Sequence, residues 1–219
     1  MSEELGRITK PEAEKYHGKR KVYVVPLLFA GQDAPAEYLS KLSSYWMQAS
    51  QQISRLEATA GMVKRIYHEA IPESGEEGLK RIEQLNPSSY QIANEKCDQD
   101  AVLEAVDDKE LADELMDWER FMLSGFISQK VANTVSQFYT EASKKRYEHM
   151  AKRVDETLQE GEAGLLFIRA GHSLQFPQDI EVFSVSPPAL DEIHRWLRDR
   201  AAEQQEEQQS GVEPEEGGE

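Results

Sequence analysis

From Leu39 to Ala60 the chain sets apolar or small residues at Leu39, Leu42, Trp46, Ala49, Ile53, Leu56 and Ala60, in alternating steps of three and four. That spacing predicts a helix with one apolar stripe, opened just after Pro35 and closed by Gly61, over 36–60. The stripe lasts about three heptads and is flanked by Ser and Gln rather than by opposed charges, which suits a helix laid on the protein's own core. The alternative is a pairing seam of Leu39, Leu42, Trp46, Ile53 and Leu56 for a second copy or a partner helix.

Upstream, "VYVVPLLFA" is short, β-branched and aromatic, and reads as a buried strand. Pro26 within it points to an edge strand or a bulge. "MVKRIYHEAIP" reads as a second strand, and "SGEEGLKRIEQLNP" as a serine-capped helix stopped before Pro87. "SSYQIANEKCDQDAVLEAV" suggests one or two short helices. In the next segment Leu111, Leu115, Trp118 and Met122 mark a stronger one that closes at Ser124 and Gly125.

The longest helix is expected from Phe126 to Gly161, and its apolar face changes. Ile127, Val131, Val135, Phe138 and Ala142 share one side, spread over about 80° at the helical period. The same side then carries Lys145, Arg146, His149, Lys152 and Arg153, while Tyr147, Met150, Val154 and Leu158 form an apolar stripe opposite. Either the helix breaks near Ser143 or its two halves pack on different bodies. Strands at Leu165–Ile168 and Asp179–Val185 follow, and Pro187 and Pro188 open a last helix. The expected fold is α/β: a small mixed sheet of about four strands with a long helical hairpin. The expected division is a flexible leader over 1–20, one domain over 21–202 with a helical insertion at about 75–160, and a disordered tail over 203–219.

Charge refines this picture. Of 219 residues, 41 are acidic and 25 basic, for a net charge of -16, which opposes general affinity for phosphate backbones. The segment 203–219 holds many glutamates and glutamines and almost nothing apolar, as disordered segments do. The one cysteine, Cys97, precludes an internal disulfide, and neither a secretory signal nor a membrane-spanning run is apparent, so a soluble cytoplasmic protein is expected.

Catalytic signatures are sparse. Glu14 with His17 and Asp191 with His194 have helical metal-ligand spacing, but each is a lone pair, and no metal or other cofactor is expected. No nucleophile elbow and no phosphate-binding glycine loop is present. The turn "FIRAGHSLQFP" brings Arg169 and His172 to strand ends, where α/β proteins build sites, and His68 lies at the end of another strand. Arg169, His172 and His68 are therefore the candidate contacts for a small anionic ligand. The basic residues Lys145, Arg146, His149, Lys152 and Arg153 are a candidate face for RNA or a protein partner, unless the acids of the preceding helix neutralise them.

"RVDETLQEGEAGLLFI", a helix feeding an apolar strand through an acidic glycine turn, followed by "IEVFSV" and a helix, resembles the last domain of archaeal and eukaryotic peptide release factors and their bacterial relatives. The resemblance implies a ribosome-associated role. The Gly-Gly-Gln tripeptide of peptide release is lacking, so release itself is not implied. Taken together, the sequence predicts an interaction or accessory subunit with a protein partner or a second copy, the alternatives being an RNA-associated factor and a binder of small anions.

Overall fold

The computed structural model describes residues 18–210, with side chains to 205. The chain runs β1 (Arg20–Pro26), α1 (Ala36–Ala60), β2 (Val63–His68), α2 (Gly75–Leu85), α3 (Pro87–Cys97), β3 (Val102–Leu103), α4 (Lys109–Leu123), α5 (Gln129–Thr157), β4 (Ala163–Ile168), β5 (Ile180–Ser184) and α6 (Pro188–Ser210). The α/β class and the small sheet are as expected. The sheet has five strands in the order β3-β2-β4-β1-β5, and all its pairings are parallel rather than mixed.

Parallel neighbours require a return crossing between strands, and helices supply it in all but one connection. The exception is 169–179, which carries the chain from β4 past β1 to β5 without a helix. Its Leu174 and Phe176 pack into the core beneath it. The added strand, β3, is only two residues long and lies where short helices were expected. After α3 the chain turns through Asp100, at φ 71°, and pairs Val102 and Leu103 with β2.

Pro26 does not mark an edge. β1 lies between β4 and β5, and odd-numbered residues of β1 turn their N–H groups toward β4, as Lys21 and Leu27 show by donating to Glu162 and Ile168. The nitrogen of Pro26 therefore faces the β5 side, where the ladder has already ended at the Val24–Ser184 pair. A missing donor there breaks no sheet bond.

Strand alternation sorts the core onto two faces. Tyr23, Val25, Ile66, Leu165 and Phe167 pack under α1, α3 and α6, against Tyr45, Trp46, Ile53, Ile92 and Ile193. Val22, Val24, Tyr67, Leu166 and Ile168 pack on the other face under Tyr147, Met150, Val154 and Leu158 of α5. The α1 stripe thus mainly serves the protein's own core, with Leu39 left 45% exposed. β4 is buried at all six positions, as a central parallel strand must be.

α5 is unbroken through Ser143, so its change of face reflects two different supports. Residues 146–157 lie on the sheet. Residues 129–145 pack chiefly on α4 and extend about 25 Å at the rise of a helix. At the chain ends, Arg20 already belongs to β1 and is ion-paired with Asp155 and Asp179, while α6 continues to Ser210, into the segment read as a tail. The other leader and tail residues, 1–17 and 211–219, lie outside those described.

Candidate functional site

β1 and β2 leave the sheet toward the α1 face, whereas β4 leaves toward the α5 face. The carboxyl end of β4 is therefore a topological switch point, the place where open α/β sheets receive ligands. Glu69 follows β2 there, with its side chain 3% exposed. Its Oε1 accepts from Arg146 at 3.0 Å and from Arg169 Nε at 2.6 Å, and its Oε2 accepts the Arg169 backbone N–H at 2.6 Å.

Arg146, equally buried, also donates through Nε to Asp107 Oδ1 at 2.9 Å and through its second arm to Asp107 Oδ2. Asp107 in turn accepts the backbone N–H of Ala70 at 2.7 Å and of Asp108 at 3.0 Å. Ala70 has φ 68°, a left-handed conformation that costs a non-glycine residue about 1 kcal/mol or more. Two buried guanidinium contacts and a strained turn are therefore fixed around one pair of carboxylates. Burial opposes charge on Arg146, but Asp107 and Glu69 outweigh it and hold the guanidinium pKa above its ordinary value.

Arg169 differs from Arg146 in being 42% exposed, and its free arm reaches Glu119 of α4 at 2.5 Å. Burial works against its charge too, yet Glu69 and Glu119 hold its pKa above the ordinary value. His172 lies on the crossover beside Tyr147, with ring centroids 6.4 Å apart. Its Nδ1 accepts from the Leu174 N–H at 3.3 Å, and burial, opposed by Glu69, lowers its pKa.

His68 is placed differently. It is wholly buried, and burial depresses its pKa to about 4, so the ring is neutral at pH 7. A carbonyl can only accept, so Nδ1 carries the proton and donates to Glu69 O at 2.7 Å, while Nε2 lies 3.1 Å from the Ser89 hydroxyl, which also reaches the Asn86 carbonyl at 3.0 Å. The pair ties β2 to the start of α3 and offers no open face to a ligand.

The five basic residues of α5 are dispersed by the fold. Arg146 is the buried centre of the ion cluster, and Arg153 bonds the Ala105 carbonyl and Glu156. Lys152 lies 3.8 Å from Glu156 on the surface. Lys145 is exposed and His149 half-buried. The central cation of this face is paired with Asp107, the first of the acids that lead into α4.

A second feature lies in the α4–α5 hairpin. From Phe121 to Thr134 every residue but Phe126 and Ala132 is exposed, and the exposed set includes Phe121, Met122, Leu123, Ile127 and Val131. Trp118 stacks on Phe138 at 5.0 Å and 20° and adjoins Phe121 at 5.8 Å, which makes an aromatic strip along one side. At the helical period Glu110, Glu114 and Asp117 border this strip on α4. Among the described residues no group of three or more His, Cys, Asp or Glu side chains is arranged to hold a metal ion, and no helix is long and apolar enough to cross a membrane.

Of the three carboxylates, the sequence offers Glu69 only as the acid of a Tyr67–His68–Glu69 acid/base pair, Asp107 only among the acids that could neutralise the basic face, and Glu119 not at all. Against known proteins the chain matches no family model, no curated protein and no solved structure.

Proposed function

We propose that this protein is a cytoplasmic interaction or accessory subunit that engages a protein partner through the α4–α5 hairpin. One observation carries the reading: a projecting helical pair keeps Phe121, Met122, Leu123, Ile127 and Val131 in solvent while its base is anchored by buried ion pairs. Monomeric proteins seldom leave large contiguous apolar patches, and such patches with polar rims mark interaction sites. The acids bordering the aromatic strip select a partner segment that is apolar with basic flanks. Two copies facing each other antiparallel, α4 on α4, would set Glu110, Glu114 and Asp117 against themselves, which favours a different partner chain.

An RNA-binding role has less support, because Arg146 is withdrawn from the basic face and Lys152 and Arg153 already have Glu156 beside them. A photo-crosslinking residue at position 127, compared with one at exposed Arg55 of α1, tests the proposal in native lysate. The expected result is a discrete protein adduct at 127 alone, lost in the Leu123→Asp variant. Adducts at both positions, at neither, or to RNA would overturn it.

A further inference from the structure

We propose that Arg169 is the anchor of a site for a small monocarboxylate with a short apolar body, which binds by taking the place of Glu119. The inference is independent of the interaction reading. Four of the five charged groups at the carboxyl end of β4 balance among themselves: Arg146 and Arg169 against Glu69 and Asp107. Of these only Arg169 is substantially open to solvent, and the fifth group, the Glu119 carboxylate, reaches it from a helix that shares no strand ladder with the sheet. Glu119 thus occupies the position on Arg169 where an outside carboxylate would sit. An Arg–carboxylate pair is a charge-assisted contact of high geometric specificity.

Room for a ligand body lies alongside. A cleft of about 210 Å³ between α4 and the end of β2 has Ala70, Pro72, Ala112 and Met116 as its apolar lining and the charged Arg81, Asp108, Lys109 and Asp113 around them, with Asp107 forming its border with the ion cluster. Met116 and Glu119 are three residues apart and so share a side of α4. Arg169 and Glu119 lie outside that lining, so a ligand that holds Arg169 through its carboxylate must extend a few carbons beyond it to lie against Ala112 and Met116. Charge selects the class: a monocarboxylate restores the charge that Glu119 brought, whereas a phosphate dianion adds a further negative charge beside Glu69 and Asp107. The exchange also removes the Glu119–Arg169 ion pair that ties α4 to the β4–β5 crossover.

The test is a butyrate titration of full-length Glu119→Ala protein at constant ionic strength with chloride as the balancing anion, followed by the Arg169 Nε–H and Trp118 indole signals in 1H–15N spectra. Acetate and inorganic phosphate serve as comparison probes. Expected are a saturable shift with butyrate, weaker binding of acetate, no saturation with phosphate, and at least tenfold weaker butyrate binding to the wild type. Butyrate should also speed amide exchange across 116–122 in the wild type, and Glu119→Ala/Arg169→Gln should lose the response. Absence of saturation in Glu119→Ala, persistence without Arg169, equal affinity for phosphate, or unchanged exchange in the wild type would overturn the proposal.

Discussion

Arg146 and Asp107 meet through two parallel hydrogen bonds, the first from Nε to Oδ1 at 2.9 Å, with both side chains all but hidden from solvent. Neither element could be placed without the other: Asp107 ends the path from β3 into α4, and Arg146 is where α5 reaches the sheet. Their pairing therefore locates the base of the hairpin. Arg146→Met should destabilise the protein by about 3–5 kcal/mol, because Asp107 and Glu69 are left buried with a partner missing. Arg146→Lys should recover only part of this, since an ammonium cannot reproduce the fork. Urea denaturation checks both; a loss below about 1 kcal/mol for the Met variant would contradict the account.

His68 predicts an acid-sensitive component of stability. Its pKa in the folded protein, about 4, lies below the ordinary histidine value of 6.5. The unfolded chain therefore binds the extra proton first as pH falls, and stability declines from pH 6.5 down to about 4 and levels off below. The span corresponds to roughly 3 kcal/mol. Urea midpoints of the wild type and His68→Gln between pH 7 and 4.5 measure it, and parallel curves for the two proteins would show that His68 is not the sensor.

Lys96 and Glu57 form a second buried pair, at 2.9 Å, joining α3 to α1. Glu57 also accepts the Val63 N–H, so it joins α1 to β2 as well. Lys96→Met alone should cost about 3–5 kcal/mol, whereas Lys96→Met with Glu57→Leu should recover part of that loss, because no charge is orphaned although the Val63 N–H loses its acceptor. A double variant no more stable than the single one would refute the assignment.

Gly78 lies where α2 passes against the preceding chain. A Cβ built there would be 2.4 Å from the Glu73 carbonyl oxygen and 2.7 Å from Leu103 Cδ2. Gly78→Ala, usually favourable inside a helix, should here destabilise by about 1–3 kcal/mol through overpacking. Thermal unfolding gives the sign directly.

The hairpin tip should behave in the opposite way. Leu123 is 87% exposed, so Leu123→Asp and Ile127→Asp should leave unfolding free energy within about 0.5 kcal/mol of the wild type. A large loss would mean that the tip is packed within the fold, and its exposure would then say nothing about a partner.

Much of this fold was legible from local signals. Pro35 and Gly61 bracket α1 at its observed limits, and the change of apolar face along α5 matched its two supports. Long-range pairing was less legible. The two residues of β3 are too few to show a period, and the charged residues Lys64 and Arg65 of β2 mask the continuous apolar run by which a parallel strand is known. The ion cluster was hidden for a related reason: in the sequence Arg146 is one of five basic residues on a helix side, and only the docking of α5 on the sheet separates it from exposed Lys145. Glu119 looked like one more acid on an acidic helix until Arg169, fifty residues on, was placed beside it.

The position of β1 also bears on how the chain comes to be folded. Of the five described strands β1 comes first along the chain yet lies inside the sheet, and its two neighbours, β4 and β5, are the last of the five to be made. Until residues 163–184 emerge, Val22, Tyr23, Val24 and Val25 have no strand to pair with. Such non-local pairing slows folding and leaves an apolar strand waiting. The growing chain therefore carries an unpaired β-branched segment from the making of β1 until that of β4, and the sheet closes only when segments as far apart in the chain as Lys21 and Ala163 come together.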